Sequence, residues 1–413
     1  MTSSQFSFNF LICLHKDDLP MLTYIKEVLG MGYVNISGRF ATFKIGKTSD
    51  IKKIIYLFST NPLNTSKHLN FLGFKKAYEI YTNLDRKLNN DNSSRLKAYE
   101  EIISIKNSMN RKRTSFELLN HSIKITPYWL LGFVEGEGSF SVSRCKDFSF
   151  AFCVSQTLSE KKVMLEIQRF LLNLPSNFPY KIRQKNSNVV PLYEEKKAKN
   201  ENSNPMLQIQ ISDLNYIGNV IIPFFDSLIW KSKKRLDYLD WKAIFNLKRE
   251  GKYYLPECKD LILAICNRMN LKRLSTNETN LKDNSSITND LDLKLKSLLE
   301  APSNLELHSN GKIFIKSLGK YIKGRGNVTV EVYLHGQGAQ TTLWSAAQAS
   351  NMNEGDGKAL LINSFESIQD CATFFKVDPR TIIRRLDSGE FHKYENKSYI
   401  LKRKYSEYLY YKF

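Results

Sequence analysis

The sequence predicts an α+β fold built from two tandem copies of one plan. The first copy is truncated at its start, and a small helical domain follows at the C-terminus. Three observations predict this. Two separated blocks of the chain recur further on in the same order. Each copy opens with apolar residues at every second position and then passes into an amphipathic helix. The last stretch reads as helix, tight turn and arginine-bearing helix.

The repeat is visible by alignment of "FSFNFLICLHKDDLPMLTYIKEVLG" (6–30) with "FSFAFCVSQTLSEKKVMLEIQRFLL" (148–172). Phe6, Phe8 and Phe10 in one, and Phe148, Phe150 and Phe152 in the other, have the period of a strand with one buried face. A polar, acidic turn then leads to helical apolar faces, Leu22, Ile25, Val28 and Leu29 against Met164, Ile167, Phe170 and Leu171. Further on, "TSKHLNFLGFKKAYEI" (65–80) echoes "SKKRLDYLDWKAIF" (232–245), both reading Lys-x-Leu-x-aromatic-Leu-x-aromatic-Lys. Between these blocks lie strand-like segments, "GRFATFKIG" (38–46) in the first copy and "YKIRQK" with "MLQIQIS" (180–185, 206–212) in the second. Such sheets carry helices on one face and leave the other open. On the open face, alternation places Lys181, Arg183 and Lys185 together, and Gln208 with Gln210, as groups that can read base edges and phosphates.

Charge agrees with a polyanionic partner. The 413 residues carry 61 Lys+Arg against 41 Asp+Glu, a formal net charge of +20. The six cysteines are scattered without a CxxC pair and the six histidines are equally dispersed, which argues against structural zinc. Any metal should therefore be a hard cation on carboxylate oxygen. No apolar run reaches the length of a membrane span. Heavy use of Asn, Lys, Ile, Phe and Tyr, all with AT-rich codons, fits an AT-rich organellar genome.

One stretch carries chemistry. In "WLLGFVEGEGSFSVSR" (129–144) two acids, Glu135 and Glu137, sit among three glycines after an apolar run. Pro127 and the residues after it start a helix whose Gly132 and Gly136 lie four apart on one face, suited to the close approach of another helix. The acids fall at the helix C-terminal end, against the macrodipole, where a cation is welcome. Gly138 lets the chain turn into a strand.

"LLGFVEGEG" (130–138) resembles the motif of the LAGLIDADG homing endonucleases and intron maturases, with Glu at both acidic positions. The resemblance covers residues 1 to about 270. It implies tandem αββαββα repeats forming a β-sheet saddle, with the motif helix (Leu130, Gly132, Phe133, Glu135, Gly136) at the interface between repeats. It further implies that Glu137 binds the divalent metal, Mg²⁺ or another divalent cation, and that Gln156 positions water. By the same resemblance Lys67 and Lys234 are the basic residues at the edges of the active sites, with Lys233 as the alternate. A lysine near the scissile phosphate would stabilise developing negative charge.

A two-repeat member should carry two motifs, and only one is encoded. The first repeat begins at "QFSFNF", past the point where a motif helix would stand, and Leu14 occupies the place of Gln156. Three explanations stay open: a first motif contributed by another exon or polypeptide, a homodimer through residues 130–136, or a nuclease that has lost activity and binds RNA. An unpaired motif helix would expose Leu130, Phe133 and Val134.

In the C-terminal third, residues 311–350 contain a basic, glycine-punctuated segment whose glycines lack phosphate-loop spacing. From 363 onward, Ile368, Cys371, Ala372 and Phe375 make one helical face, and Pro379–Leu386 form a second helix bearing Arg380, Arg384 and Arg385. This stretch resembles the small modular DNA-binding domains appended to homing endonucleases. The chain thus divides into a first repeat over 1–110, a second over 125–270, a linker over 271–310 with a short helix near "LDLKLKSLL", the basic segment over 311–362, and a helix-turn-helix-like module over 363–405. The expected function is sequence-specific binding of double-stranded DNA with Mg²⁺-dependent phosphodiester hydrolysis, in a mitochondrion, with no membrane partner. The alternative is an inactive RNA-binding descendant, either an intron maturase or a structural subunit of a ribonucleoprotein acting on intron RNA or rRNA.

Overall fold

The computed structural model describes residues 6–86, 92–117, 121–144, 148–175, 189–195, 204–277, 285–308, 313–322, 329–335, 359–365 and 367–404. They fall into two compact units, residues 1–244 with 262–293, and residues 245–261 with 294–413. Among the described residues no helix is long and apolar enough to cross a membrane.

The first unit contains both repeats. The first runs β1 (Phe10–His15), α1 (Leu19–Leu29), β2 (Tyr33–Ser37), β3 (Phe40–Ile45), α2 (Thr48–Thr60), α3 (Lys67–Arg86) and α4 (Asn92–Asn107). The second runs α5 (Pro127–Glu137), β4 (Gly138–Val142), β5 (Phe150–Thr157), α6 (Lys161–Leu172), β6 (Leu192–Glu194) and β7 (Met206–Ile211). It continues through α7 (Leu214–Tyr216), a π turn (Ile217–Ile221) and α8 (Ile222–Asp226) into α9 (Lys234–Arg249). Both sheets are antiparallel, with orders β1-β3-β2 and β4-β5-β7-β6. With β4 set aside the two orders match strand for strand. The repeat is a structural one.

Alternation decides which face each strand buries. Ala41, Phe43 and Ile45 of β3 and Leu207, Ile209 and Ile211 of β7 lie under the helices, all essentially without exposure. Leu22 of α1 and Met164, Ile167 and Leu171 of α6 close over them. Val28 departs from the expected face: it lies beyond the buried stripe and is 64% exposed. The second core is aromatic, with Phe140 in ring contact with Phe152, Phe225, Trp230, Tyr238 and Trp241. In this unit two strands escape notice in sequence, β2 and β6. Tyr33–Ser37 has mostly exposed residues and Leu192–Glu194 has three residues, so neither produces a clean alternation. "YKIRQK" lies outside the described residues, and with it Lys181, Arg183 and Lys185.

What joins the repeats is a reciprocal cap. Each strand that opens the shared plan ends in a 3₁₀ turn, Lys16–Asp18 in one repeat and Leu158–Glu160 in the other. The last residue of each turn accepts hydrogen bonds at the N-terminus of the other repeat's long helix. Glu160 receives the Ser66 N–H at 3.0 and 3.1 Å and also the Ser66 hydroxyl, just before α3. Asp18 receives the Lys233 N–H at 2.8 Å, just before α9. Carboxylates at helix N-termini satisfy donors that lack intrahelical partners and complement the macrodipole. Beside Asp18, Asp17 pairs with the Lys233 ammonium at 2.5 Å and takes the Ser275 N–H at 2.8 Å. Burial alone would raise the Asp17 pKa, but these hydrogen bonds and the lysine charge outweigh it and hold the carboxyl well below its ordinary range.

Residues after α10 (Pro256–Asn267) form a strap across this unit. Arg268 binds Asp240 at 2.7 and 2.9 Å, and Arg273 binds Asp237 at 2.7 Å. Ser275 and Thr276 then reach Asp17 and His15 of the first repeat.

Further on lie α11 (Ser285–Glu300), β8 (Leu305–Leu307), β9 (Ile313–Ile315) and β10 (Lys320–Tyr321). The expected short helix in the linker is thus the end of a 16-residue one. In the second unit, Asn304 ties the small sheet down, donating to the Gly251 carbonyl at 2.9 Å and accepting from the Ser317 N–H at 2.9 Å. The C-terminal module is β11 (Thr329–His335), β12 (Ala359–Phe365), α12 (Ile368–Phe374), α13 (Pro379–Ser388), β13 (His392–Tyr394) and β14 (Lys397–Lys404). Its sheet order is β12-β11-β14-β13. The small helical domain expected over 363–405 thus carries strands beside its two helices. The two helices pack their apolar side (Cys371, Ala372, Phe375, Ile382, Leu386) on Val330, Val332 and Leu401 of a sheet that reaches back into the segment read as merely basic and glycine-punctuated.

The reciprocal cap predicts that Glu160→Ala will cost about 2 kcal/mol by leaving Ser66 donors unpaired. A lowered urea midpoint at unchanged m-value checks it, and Glu160→Gln should lose less.

Candidate active site

The helix α5 is fixed at both ends by local chemistry. Thr126 accepts the Trp129 N–H at 3.2 Å as N-cap, and Pro127 occupies the first turn, where its missing N–H costs nothing. At the other end the helix runs directly into β4. A Cβ at Gly138 would sit 2.6 Å from the Val134 carbonyl oxygen, so only glycine allows this junction. Leu130, Leu131 and Val134 are buried in the second repeat's own core. This overturns the expectation that an unpaired motif helix exposes Leu130 and Val134. The open side is instead Tyr128, Gly132 and Gly136, with Trp129 and Phe133 half-buried and stacked at 5.0 Å.

The two motif acids separate in role. Glu135 Oε1 accepts the backbone N–H groups of Lys231 and Ser232, both at 2.7 Å, and so latches the loop that leads into α9. In this way it holds the scaffold of the second repeat. Nothing in the sequence spacing marks this, because the partners are backbone amides 96 and 97 residues away. Glu137, two residues on, is exposed.

Glu137 opens into a cavity of about 920 Å³ between the repeats. Gln156, at the end of β5, and Lys67, the first residue of α3, line the same cavity. Three residues singled out in sequence, from three elements and both repeats, thus converge. The reciprocal cap explains why: Glu160 follows Gln156 by one turn, Ser66 precedes Lys67, and their hydrogen bonds draw the two ends together. The first repeat supplies the apolar wall with Phe10, Phe58 and Leu63, and among the described residues it contributes no carboxylate.

Lys234 is not among the residues lining this cavity. It begins α9, 4.0 Å from Asp237. Lys233, the alternate, is engaged by Asp17 and the Arg273 carbonyl. Leu14, on β1, stands where β5 presents Gln156.

Among the described residues no group of three or more His, Cys, Asp or Glu could hold a metal. Glu137 with one carboxylate fits a hard cation only where phosphate and water oxygens complete the shell, as is usual for Mg²⁺.

Gln208 and Gln210 lie on the face of β7 opposite its buried residues. Gln210 is in register with Cys153, and Gln208 with Ser155 and Tyr193. Gln208 also hydrogen-bonds the Cys153 thiol, whose pKa burial pushes up. On the first repeat, Lys44 is flanked by Leu11 and Tyr33, and Thr42 by Cys13 and Asn35. That second open face was missed in the sequence, although the alternation of "FATFKI" could have found it.

In the C-terminal module, Asp378 caps α13 by accepting the Arg380 N–H at 2.8 Å. Arg380 and Arg384 are exposed along one side. Arg385 lies off that side and pairs with Glu390, so the three arginines do not form one patch.

A family model described as LAGLIDADG endonuclease matches residues 1–78 and 130–245. An uncharacterised mitochondrial protein, RF1 of Saccharomyces cerevisiae, is 26% identical over 269 residues, covering 64% of this chain and 54% of that protein. A Neurospora crassa protein named as probable intron-encoded endonuclease 3 is 26% identical over 255 residues, covering 58% and 44%. The chain therefore spans about half the length of these relatives. Among solved structures, the LAGLIDADG homing endonuclease I-GzeII in complex with its DNA target superposes with a TM-score of 0.54 at 24% identity, covering 66% of this chain and 92% of that one. That likeness establishes the fold.

The separation of roles gives a stability prediction. Glu135→Ala should cost about 1–3 kcal/mol, because two loop amides lose a charged acceptor. Glu137→Gln should stay within about 0.5 kcal/mol. Urea denaturation of both variants checks it.

Proposed function

We propose that this chain, which over residues 1–78 and 130–245 belongs to the LAGLIDADG endonuclease family, binds double-stranded DNA and hydrolyses a phosphodiester bond within it in the presence of Mg²⁺. The observation that carries this reading is the convergence of Glu137, Gln156 and Lys67 in one cavity between the repeats. The names of its relatives support an intron-encoded, mitochondrial origin.

In this reading Glu137 would hold the divalent cation. The bound cation would supply Lewis acidity to the phosphate and lower the pKa of water. The Gln156 amide, which can both donate and accept, orients the attacking water. The Lys67 ammonium sits at the N-terminus of α3, where the macrodipole adds to its positive potential, and stabilises charge developing on the phosphoryl oxygens. The open sheet faces, with Gln208, Gln210, Asn35 and Lys44, contact the duplex. We assign Lys181, Arg183 and Lys185 to the same role, and Arg380 and Arg384 of α13 to phosphate or groove contacts outside the cleavage site.

A second reading is favoured by a specific observation: among the described residues the cavity wall from the first repeat carries no acid. A scaffold with one motif acid can bind RNA without cleaving it, as an intron maturase or a ribonucleoprotein subunit would.

Cleavage of duplex DNA carrying the uninterrupted exon junction of the host gene, with Mg²⁺, separates the two. Wild-type cleavage that falls by at least about 100-fold in Glu137→Gln supports the nuclease, since the variant folds alike. No cleavage by either protein, with tight RNA binding retained, establishes the second reading. For the C-terminal module, Arg380→Ala with Arg384→Ala should weaken binding and flatten the dependence of log K on log salt by about one to two units. A filter-binding salt titration measures that slope.

A further inference from the structure

Each repeat ends in the same hook. "MNRKR" (109–113) follows α4, and "MNLKR" (269–273) follows α10. In both, the asparagine is left-handed, with φ 55° at Asn110 and 57° at Asn270. Its N–H and the Nε–H of the arginine three residues on donate to one side-chain oxygen of that repeat's long helix. In the second repeat the oxygen is Asp237 Oδ1, at 2.9 and 2.7 Å. In the first it is Asn70 Oδ1, at 3.0 and 2.9 Å. A carboxylate facing Arg273 binds more strongly than an amide facing Arg113. The first hook is the weaker one.

The chain beyond that hook leads to α5 and is held twice more around the start of α3. Asn64, 4% exposed, donates to the Lys124 carbonyl at 2.8 Å and accepts the Lys124 N–H at 2.9 Å. His68 stacks on His121 with ring centroids 4.3 Å apart. Asn64, His68 and Asn70 thus bracket Lys67, and two residues after Lys124 stands Thr126, the cap of α5. Phe116 and Tyr128, from the same part of the chain, line the cavity with Lys67 and Glu137.

We propose that Asn64, His68 and Asn70 are positioning residues of the cavity. They hold the chain before α5 at Asn110, Arg113, His121 and Lys124, as a brace that sets α5, and with it Glu137, against Lys67. The brace loosens when the His68–His121 stack takes up a proton. Its consequence for cleavage rests on the functional reading above, but the brace itself can be read without cleavage.

The stack is the titratable point for reasons of geometry. Among the described residues, His68 Nδ1 and His121 Nε2 are buried without a hydrogen-bond partner. A neutral ring in the matching tautomer leaves only a lone pair there. A protonated ring instead puts an N–H donor into apolar surroundings, with the Phe71 ring 6.0 Å from His68. Two imidazolium rings at stacking distance also repel each other. The charged side chains nearest in the chain, Lys67, Glu117 and Lys124, are exposed, and Arg113 is engaged by Asn70. Burial and the charge of His121 both push the His68 pKa below its ordinary value, and among the described residues no carboxylate counters them. A loosened brace, with its imidazoles in water, therefore binds protons at higher pH than the closed one. Closure is complete above the ordinary histidine range and is lost as pH falls below it.

Amide exchange on the full-length protein, corrected for its intrinsic pH dependence, reads the brace at the Lys124 N–H, which donates to Asn64. From about pH 8 to about pH 5.5 its protection should fall by about fivefold or more, while that of Asn270, hooked on Asp237, stays level. His68→Phe and His121→Phe keep a ring stack without the proton, and each should hold Lys124 protected at both pH values. Asn64→Ala should lose that protection at both. In the cleavage assay the wild type should show an acid limb in kcat and not in KM, which either phenylalanine variant flattens. Equal loss at Lys124 and Asn270 on acidification, no loss at either, or an acid loss at Lys124 that both phenylalanine variants keep overturns the proposal. Absence of cleavage at every pH, with the exchange pattern as expected, ends the nuclease reading and leaves the brace standing.

Discussion

The structure of the first unit depends on two carboxylates that each serve the other half of the molecule. Glu160 caps α3 and Asp18 caps α9. An N-terminal cap is ordinarily a local device, supplied by the residue just before the helix. Here the acceptor arrives from another repeat, so one hydrogen-bonded group completes a helix and joins two sheets. The cost of breaking it exceeds that of a surface ion pair, because Glu160 is 7% exposed and leaves partly buried donors behind.

The chemistry of the cavity follows from that arrangement. Lys67 and Gln156 each adjoin a cap residue, so neither has to be steered to the cavity by long-range contacts. Glu137 reaches it by another route, through the glycine-only junction of α5 and β4. The neighbouring Glu135 holds the loop before α9. Two acids separated by one glycine thus point to opposite tasks, one holding backbone and one facing solvent.

Much of this was legible in the sequence, and the reasons are physical. The motif helix could be bounded because Pro127 and Gly138 are strong local signals. The repeat was visible because burial forces the same period on β1 and β5 and on α3 and α9. What escaped was decided at long range. Glu135, Glu160 and Asp18 bind backbone amides, which leave no trace in residue type. Val28 and Val134 look alike in sequence, yet one is 64% exposed and the other fully buried. The C-terminal sheet was missed since β11 and β12 are far apart in the chain and β12 alternates poorly, with Leu360, Leu361 and Ile362 all exposed.

The strap after α10 has a consequence for how the protein can be divided. Arg268 and Arg273 anchor it to α9, while Ser275 and Thr276 end on Asp17 and His15. A chain cut near residue 250, a natural choice where the two compact units interleave, would sever the strap from the repeats it binds. Grafting the repeats onto another carrier therefore has to bring residues 262–277 along, even though they follow a stretch that belongs to the other unit.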